Sequence, residues 1–157
     1  MKRLHIHIAV EHLQVSIAFY SALFGSQPTK QKSDYAKWML DDPRVNFAIS
    51  ARGAQPGVDH FGIQTESPEE LELLREQVKS AGLAVMHDGE TTCCYAKSDK
   101  SWVQDPTGIA WEAYHTMADA ELFNDGKPAT SACCAPKVST TSEALSVHEL
   151  CPKVPTE

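Results

Sequence analysis

Three side chains suited to a divalent cation stand far apart in this chain: His5, His60 and Glu112. Iron, manganese, nickel and zinc all accept nitrogen and oxygen donors held in a fixed arrangement. Two histidines and one carboxylate are enough, and they leave coordination positions open. A carboxylate pointing inward from a strand is costly unless it is paired or bound to a cation. Each of the three alone reads as an ordinary surface or satisfied core residue. Their joint placement gives them meaning. His7 shares a face with His5 and reads as a supporting or structural group rather than a fourth ligand. His87 and His115 have no such argument of position.

The elements that must hold these ligands follow from the hydrophobic pattern. Leu4–Val10 alternates, with Leu4, Ile6, Ile8 and Val10 on one face and His5 and His7 on the other, which predicts a strand. Leu13, Ile17, Tyr20 and Phe24 recur at helical spacing, and Gly25 is a natural stop. Two strands follow, Ala36–Leu40 and Val45–Ser50, joined at Asp41-Asp42-Pro43. The order then repeats. Val58–Gln64 is a strand with a histidine near its start. Ser67-Pro68-Glu69-Glu70 caps a helix whose buried stripe is Leu71, Leu74 and Val78 and whose end is Gly82. Ala84–His87, Cys94–Lys97, Trp102–Gln104 and Ile109–Tyr114 are further strands, the last two joined by Asp105-Pro106-Thr107-Gly108.

The chain therefore reads as α+β, with a β-α-β-β-β order used twice and His5 and His60 at matching places. Residues 1–55 and 56–116 are the expected modules. If they pair about a pseudo-twofold axis, the two histidines approach each other. Residues 117–157 are rich in Ser, Thr, Pro and Lys and read as a flexible, cysteine-containing tail.

Composition narrows the function. A formal net charge of −7 argues against nucleic acid or an anionic membrane surface as the main partner. The opening MKRLHIHIAVEH is broken by polar residues and reads as no signal peptide, and no stretch is long enough to span a bilayer. A cytoplasmic address follows. There, five cysteines are expected to be thiols, metal-binding or reactive rather than structural.

Three segments carry a family resemblance. RLHIHIAVEHLQVSIAFY (Arg3–Tyr20), VDHFGIQ and VQDPTGIAWEAY resemble the vicinal oxygen chelate superfamily, which includes glyoxalase I, fosfomycin-resistance enzymes and extradiol dioxygenases. The resemblance covers about residues 1–116. It implies paired βαβββ modules forming an open, cup-like mixed sheet around one metal, with His5, His60 and Glu112 as the ligands. The segment Thr91-Thr92-Cys93-Cys94-Tyr95 resembles more narrowly the organoarsenical carbon–arsenic lyases, relatives of the cadmium-induced proteins. That likeness implies an iron(II)-dependent enzyme with molecular oxygen as co-substrate. It implies removal of the methyl or aryl group from trivalent organoarsenicals to leave arsenite, in detoxification.

The chemistry of adjacent thiols agrees with that implication. Trivalent arsenic is soft and binds sulfur. A methylarsenic(III) species keeps its carbon and exchanges two oxygens for two sulfurs, so Cys93 and Cys94 match its valence. A disulfide between neighbours closes a strained ring, which favours the dithiol. Cys133 and Cys134 are candidates for auxiliary arsenic binding. Lys97, Asp99 and Lys100 read as a lid or a solvated hairpin. Two other classes stay open: a non-catalytic protein binding cadmium or arsenite, and a glyoxalase-like or thiol-transfer enzyme. A homodimer is open too, because modules can pair within a chain or between chains.

Overall fold

A computed structural model describes residues 1–122. Its elements run β1 (Arg3–Ala9), α1 (Leu13–Phe24), β2 (Lys30–Gln31), β3 (Tyr35–Asp41), β4 (Arg44–Ser50), β5 (Gly57–Thr65), α2 (Pro68–Ser80), β6 (Met86–Cys93), β7 (Ala96–Gln104) and β8 (Ala110–Asp119). The expected β-α-β-β-β order thus occurs twice. All eight strands form one sheet, in the order β2-β3-β4-β1-β5-β8-β7-β6. It is a mixed α+β sheet, curled into an open half-barrel. Among the described residues no helix is long and apolar enough to cross a membrane.

The two halves meet within the chain, at the antiparallel pair β1 and β5. His5 lies opposite Gly62 and His7 opposite His60. His5 stands seven residues before the first residue capping α1, His12, and His60 seven before its counterpart on α2, Ser67. A local twofold that exchanges His5 with His60, and His7 with Gly62, satisfies both observations.

The helices cover the outer face of the sheet. Leu13 and Ile17 of α1 pack on Ala36, Trp38, Val45, Phe47 and Ile49, with Tyr20 and Phe24 stacked alongside. Ile6, Ile8 and Val10 join this layer. Gly25 ends α1 at φ 64°, where a residue with a Cβ is strained. Helix α2 starts as predicted: the Ser67 hydroxyl accepts from the Glu70 N–H at 3.2 Å, with proline and two acids in the first turn. Leu71 is its fully buried residue, and Leu74 and Val78 are half-buried.

The concave face is the unusual one. His5, His7, Asn46, Ser50, His60, Ser98, Lys100 and Glu112 all point into it and are buried. The alternation predicted for β1 holds, yet its polar side is the better buried.

The strands differ from the sequence reading in three places: β2 is not among the expected strands, β6 runs Met86–Cys93 rather than Ala84–His87, and β7 replaces the two strands Cys94–Lys97 and Trp102–Gln104. The segment Cys94–Lys97 is not one strand: Cys93 pairs with Ala96, and Cys94 and Tyr95 form the two-residue turn between β6 and β7. Both turn residues have positive φ, 56° and 59°. Such turns are usually signalled by Asn-Gly or Asp-Gly, which are missing here. β7 also runs back to Ala96, carrying Lys97, Asp99 and Lys100 as mid-strand residues rather than as a lid.

Gly62 sits where β5 lies tight against β8. A Cβ there would stand 2.7 Å from the Glu112 carbonyl oxygen and 3.1 Å from the Glu112 Cβ. Gly62→Ala is expected to lower stability by about 1–3 kcal/mol through overpacking, read as a shifted urea midpoint. An unchanged midpoint would mean that β8 yields without cost.

Candidate metal centre

His5 and His60 reach the floor of the cup from neighbouring central strands, and Glu112 reaches it from β8, the other neighbour of β5. Their side chains are 7%, 2% and 5% exposed, so they are withdrawn from solvent. His5 Nε2 lies 3.2 Å from His60 Nε2. Glu112 Oε2 is 3.9 Å from the first and 3.8 Å from the second.

The outer nitrogen of each ring fixes its tautomer. His5 Nδ1 is 2.9 Å from the Asn46 backbone carbonyl, which can only accept. His5 therefore carries its proton on Nδ1. His60 Nδ1 is 2.6 Å from the Asp59 carboxylate and donates to it in the same way. When the rings are neutral, both Nε2 atoms present lone pairs to one another and to a carboxylate oxygen. A hydrogen bond between them would require a second ring proton. Burial, and then the neighbouring His60, holds His5 well against that, lowering its pKa to about 4. A cation between the three atoms removes the conflict. A triangle with sides 3.2, 3.8 and 3.9 Å has a circumradius of about 2.1 Å, which is the usual length of a bond from nitrogen or oxygen to a first-row metal. The donor set fits a divalent ion.

His7 makes a second combination. Donor atoms of His5, His7 and His60 lie within 4.8 Å of one another, and all three residues are buried. His7 also has Nε2 2.9 Å from Ser50 Oγ. The two sets share His5 and His60. The carboxylate set has the more compatible charge, because an anionic donor offsets a divalent cation.

Glu112 divides its two oxygens. Oε2 faces the histidines, and Oε1 accepts from Lys100 Nζ at 2.6 Å. Burial alone would push this carboxyl up, but Lys100 and the histidines hold it below the ordinary glutamate range. Lys100 stays protonated in turn: burial works against it, and the Glu112 charge, Cys94, the hydrogen bond to Glu112 and Asp88 together outweigh burial. Tyr114, whose hydroxyl accepts from Asn46 Nδ2 at 2.7 Å, is pushed well above its usual pKa by burial and by Glu112.

The twofold locates the open side of the centre. His7 pairs with Ala48 and Gly62 with Glu112. Ala48 thus occupies in the first half the place that Glu112 holds in the second. A methyl group there donates nothing to a cation. Ala48 is buried in one cluster with Tyr35, Cys93 and Tyr95. The thiol turn therefore overlies the side that lacks a ligand, and His5, Glu112, Lys100, Cys93 and Cys94 line one common cavity.

Cys93 Sγ and Cys94 Sγ lie 3.3 Å apart. Cys94 is a free thiol, pushed up to about 12 by burial, with Lys100 opposing the shift. Cys93 is disulfide-bonded, and not to Cys94. This corrects the expectation that the cysteines are all thiols: a two-thiol clamp exists here only in the reduced chain. Cys133 and Cys134 lie outside the described residues.

Sequence reasoning missed Asn46, Asp59 and Lys100. Lys100 had a signal. Ala96, Ser98, Lys100 and Trp102 alternate on one face of β7, which makes Lys100 an inward cation in need of a partner.

A curled mixed sheet of two βαβββ halves, with a cluster of buried histidines on its concave face, has the architecture of a metal-binding half-barrel. The chain belongs to the Glyoxalase/Bleomycin resistance protein/Dioxygenase superfamily, which it matches over residues 2–113. It is 38% identical over 155 residues to the trivalent organoarsenical cleaving enzyme of Bacillus sp. strain MD1, spanning 91% of this chain and 96% of that protein. It is 33% identical over 153 residues to the protein of the same name from Thermomonospora curvata, spanning 96% and 100%. The cadmium-induced protein CadI of Mycobacterium bovis is 34% identical over 127 residues, spanning 80% and 84%. In fold, the chain resembles homoprotocatechuate 2,3-dioxygenase from Arthrobacter globiformis, with TM-score 0.55, 20% identity and coverage of 77% of this chain and 38% of that one. The Mn(II)-bound glyoxalase from Novosphingobium aromaticivorans gives TM-score 0.54 and 18% identity, covering 78% and 43%.

Two outcomes are expected. Glu112→Gln should weaken binding of Co(II), followed by its visible absorption, by roughly a hundredfold or more, since loss of merely supporting groups already costs 10–100-fold. Wild-type affinity in that variant would favour the three-histidine set. The second concerns pH. His5 and His7 are both held below the ordinary histidine value of 6.5, by burial first and then by their histidine neighbours. The unfolded chain therefore binds more protons below pH 6.5, and the stability of the metal-free protein should be full above that value and fall toward pH 4. Between pH 6.5 and 5.5 the loss should reach at most about 2–3 kcal/mol in urea unfolding.

Proposed function

We propose that this chain cleaves the carbon–arsenic bond of trivalent organoarsenicals in a reaction that needs iron(II) and dioxygen; for methylarsenite, one dioxygen balances release of one arsenite and one formaldehyde, the methyl carbon being oxidised. One observation carries the reading: the adjacent cysteines Cys93 and Cys94 line the same cavity as His5 and Glu112, and Cys93 packs with Ala48 on the flank that has no donor. Relatives named for organoarsenical cleavage, matched along nearly their whole length, support it.

In the reduced chain, Cys93 and Cys94 take up the arsenical. Methylarsenite has two hydroxyls on arsenic. Each thiol forms one arsenic–sulfur bond and gives its proton to a departing hydroxide, so two waters leave and the methyl group stays. Cys94 is protonated at neutral pH, which suits an exchange that needs a proton at the leaving oxygen. The clamp keeps the arsenic–carbon bond directed away from the sulfurs. His5, His60 and Glu112 would hold iron(II), which supplies the one-electron chemistry that dioxygen requires. Asn46 and Asp59 take the Nδ1 side of each ring and so aim Nε2 at the centre, and Lys100 orients Glu112 while preserving its charge. The buried walls exclude bulk water from these groups.

A protein that only sequesters soft metals has no use for the histidine–carboxylate set. With iron(II), a thiol reductant and methylarsenite, arsenite is expected in air and absent without oxygen. Cys94→Ser and Glu112→Gln should each reduce turnover at least tenfold. Arsenite formation without oxygen, or full turnover after loss of both Cys93 and Cys94, would sink this reading.

A further inference from the structure

The thiol turn does not hold itself in place. Cys94 and Tyr95 both adopt left-handed backbone conformations that L side chains disfavour, and neither is glycine or asparagine. Along the sheet the turn belongs to the edge formed by β6 and β7, and β2 and β3 form the opposite edge. Yet the two edges meet at this turn. The Tyr95 hydroxyl donates to Asp34 Oδ1 at 2.5 Å, across 61 residues of chain. Arg52 pairs with the other oxygen of Asp34. Lys30 Nζ donates to the Tyr95 backbone carbonyl at 2.9 Å and pairs with Asp119. The Tyr35 and Tyr95 rings pack 5.6 Å apart.

We infer that Asp34 and Lys30, in the first half of the chain, are positioning residues that set where the Cys93–Cys94 pair sits over the metal centre. One anchor acts on the side chain of the turn and the other on its backbone. Neither touches the cavity that holds the thiols and ligands. Cutting an anchor leaves the strands of the metal centre paired and lets the turn leave its left-handed conformation. The thiols then spend less time at the open side. This rests on the carbon–arsenic lyase reading for its chemical consequence, but the anchoring itself is independent of it.

The test uses the full chain, reduced, with Tyr95→Phe, Asp34→Ala, their double variant, and Lys30→Met. Thiol accessibility is read from the rate with a disulfide reagent in the metal-free protein. Co(II) affinity and the thermal midpoint report on the rest of the fold. KM and kcat are measured with methylarsenite and iron(II) in air. Tyr95→Phe and Asp34→Ala are each expected to raise the thiol rate and KM by about tenfold, the factor that about 1.4 kcal/mol from one hydrogen bond to a charged group gives. Co(II) affinity should stay within about twofold. The double variant should be no worse than either single one, as for partners in one contact. Lys30→Met should act in the same direction with the Tyr95 side chain intact. Unchanged thiol rates in Tyr95→Phe and Lys30→Met, additive effects in the double variant, or Co(II) binding lost in step with the thiol effect would each overturn the inference. A wild type without turnover whose variants still show faster thiol reaction would remove the lyase and leave the anchoring standing.

Discussion

Two imidazole Nε2 atoms face each other across 3.2 Å at the centre of this molecule, and in neutral rings both are lone pairs. Each is committed to that arrangement by its far nitrogen, through Asn46 in one half and Asp59 in the other. Buried acceptors facing acceptors are unfavourable unless a cation stands between them. The sheet is built to impose this conflict. The central strand pair fixes where the two rings stand, the outer helices bury the apolar faces, and the concave face collects polar groups that only a full set of partners makes tolerable. The ion pair between Lys100 and Glu112 belongs to the same economy, since either charge alone in that site would be costly.

The approximate twofold explains both the likeness of the halves and the direction of the site. Symmetry brings His5 beside His60. Departures from symmetry do the rest. His7 against Gly62 fills one side of the cup and opens the other for β8. Ala48 against Glu112 leaves one flank of the centre without a donor, and that flank faces the thiols. A symmetric duplicate would offer an even ring of ligands and no approach for a substrate.

Much of this was legible in the sequence, for identifiable reasons. Strict alternation in Leu4–Val10 and a capped, acid-led start at Ser67 are local signals, and the structure follows them. His5 and His60 stand at equal distances from two helix starts, so their equivalence was visible along the chain. The rest depends on partners far away in the chain. Lys100 lies in a run of charges that looks solvated until β8 is placed beside it. Asn46 works through its backbone carbonyl, which every residue has. The turn at Cys94 and Tyr95 has none of the residues that usually mark it, because the contacts that hold it come from Asp34 and Lys30. The oxidation state of Cys93 is likewise a matter of what meets it in space.

The strand order has a consequence for biosynthesis. β8 is last among the described strands in the chain and yet lies inside the sheet, between β5 and β7. During translation His5, His7 and His60 leave the ribosome well before Glu112. The nascent chain thus presents imidazole nitrogens while the carboxylate is still missing. The carboxylate can join the histidines only after the final strand has slotted into its gap, so the concave face acquires its full set of polar groups last.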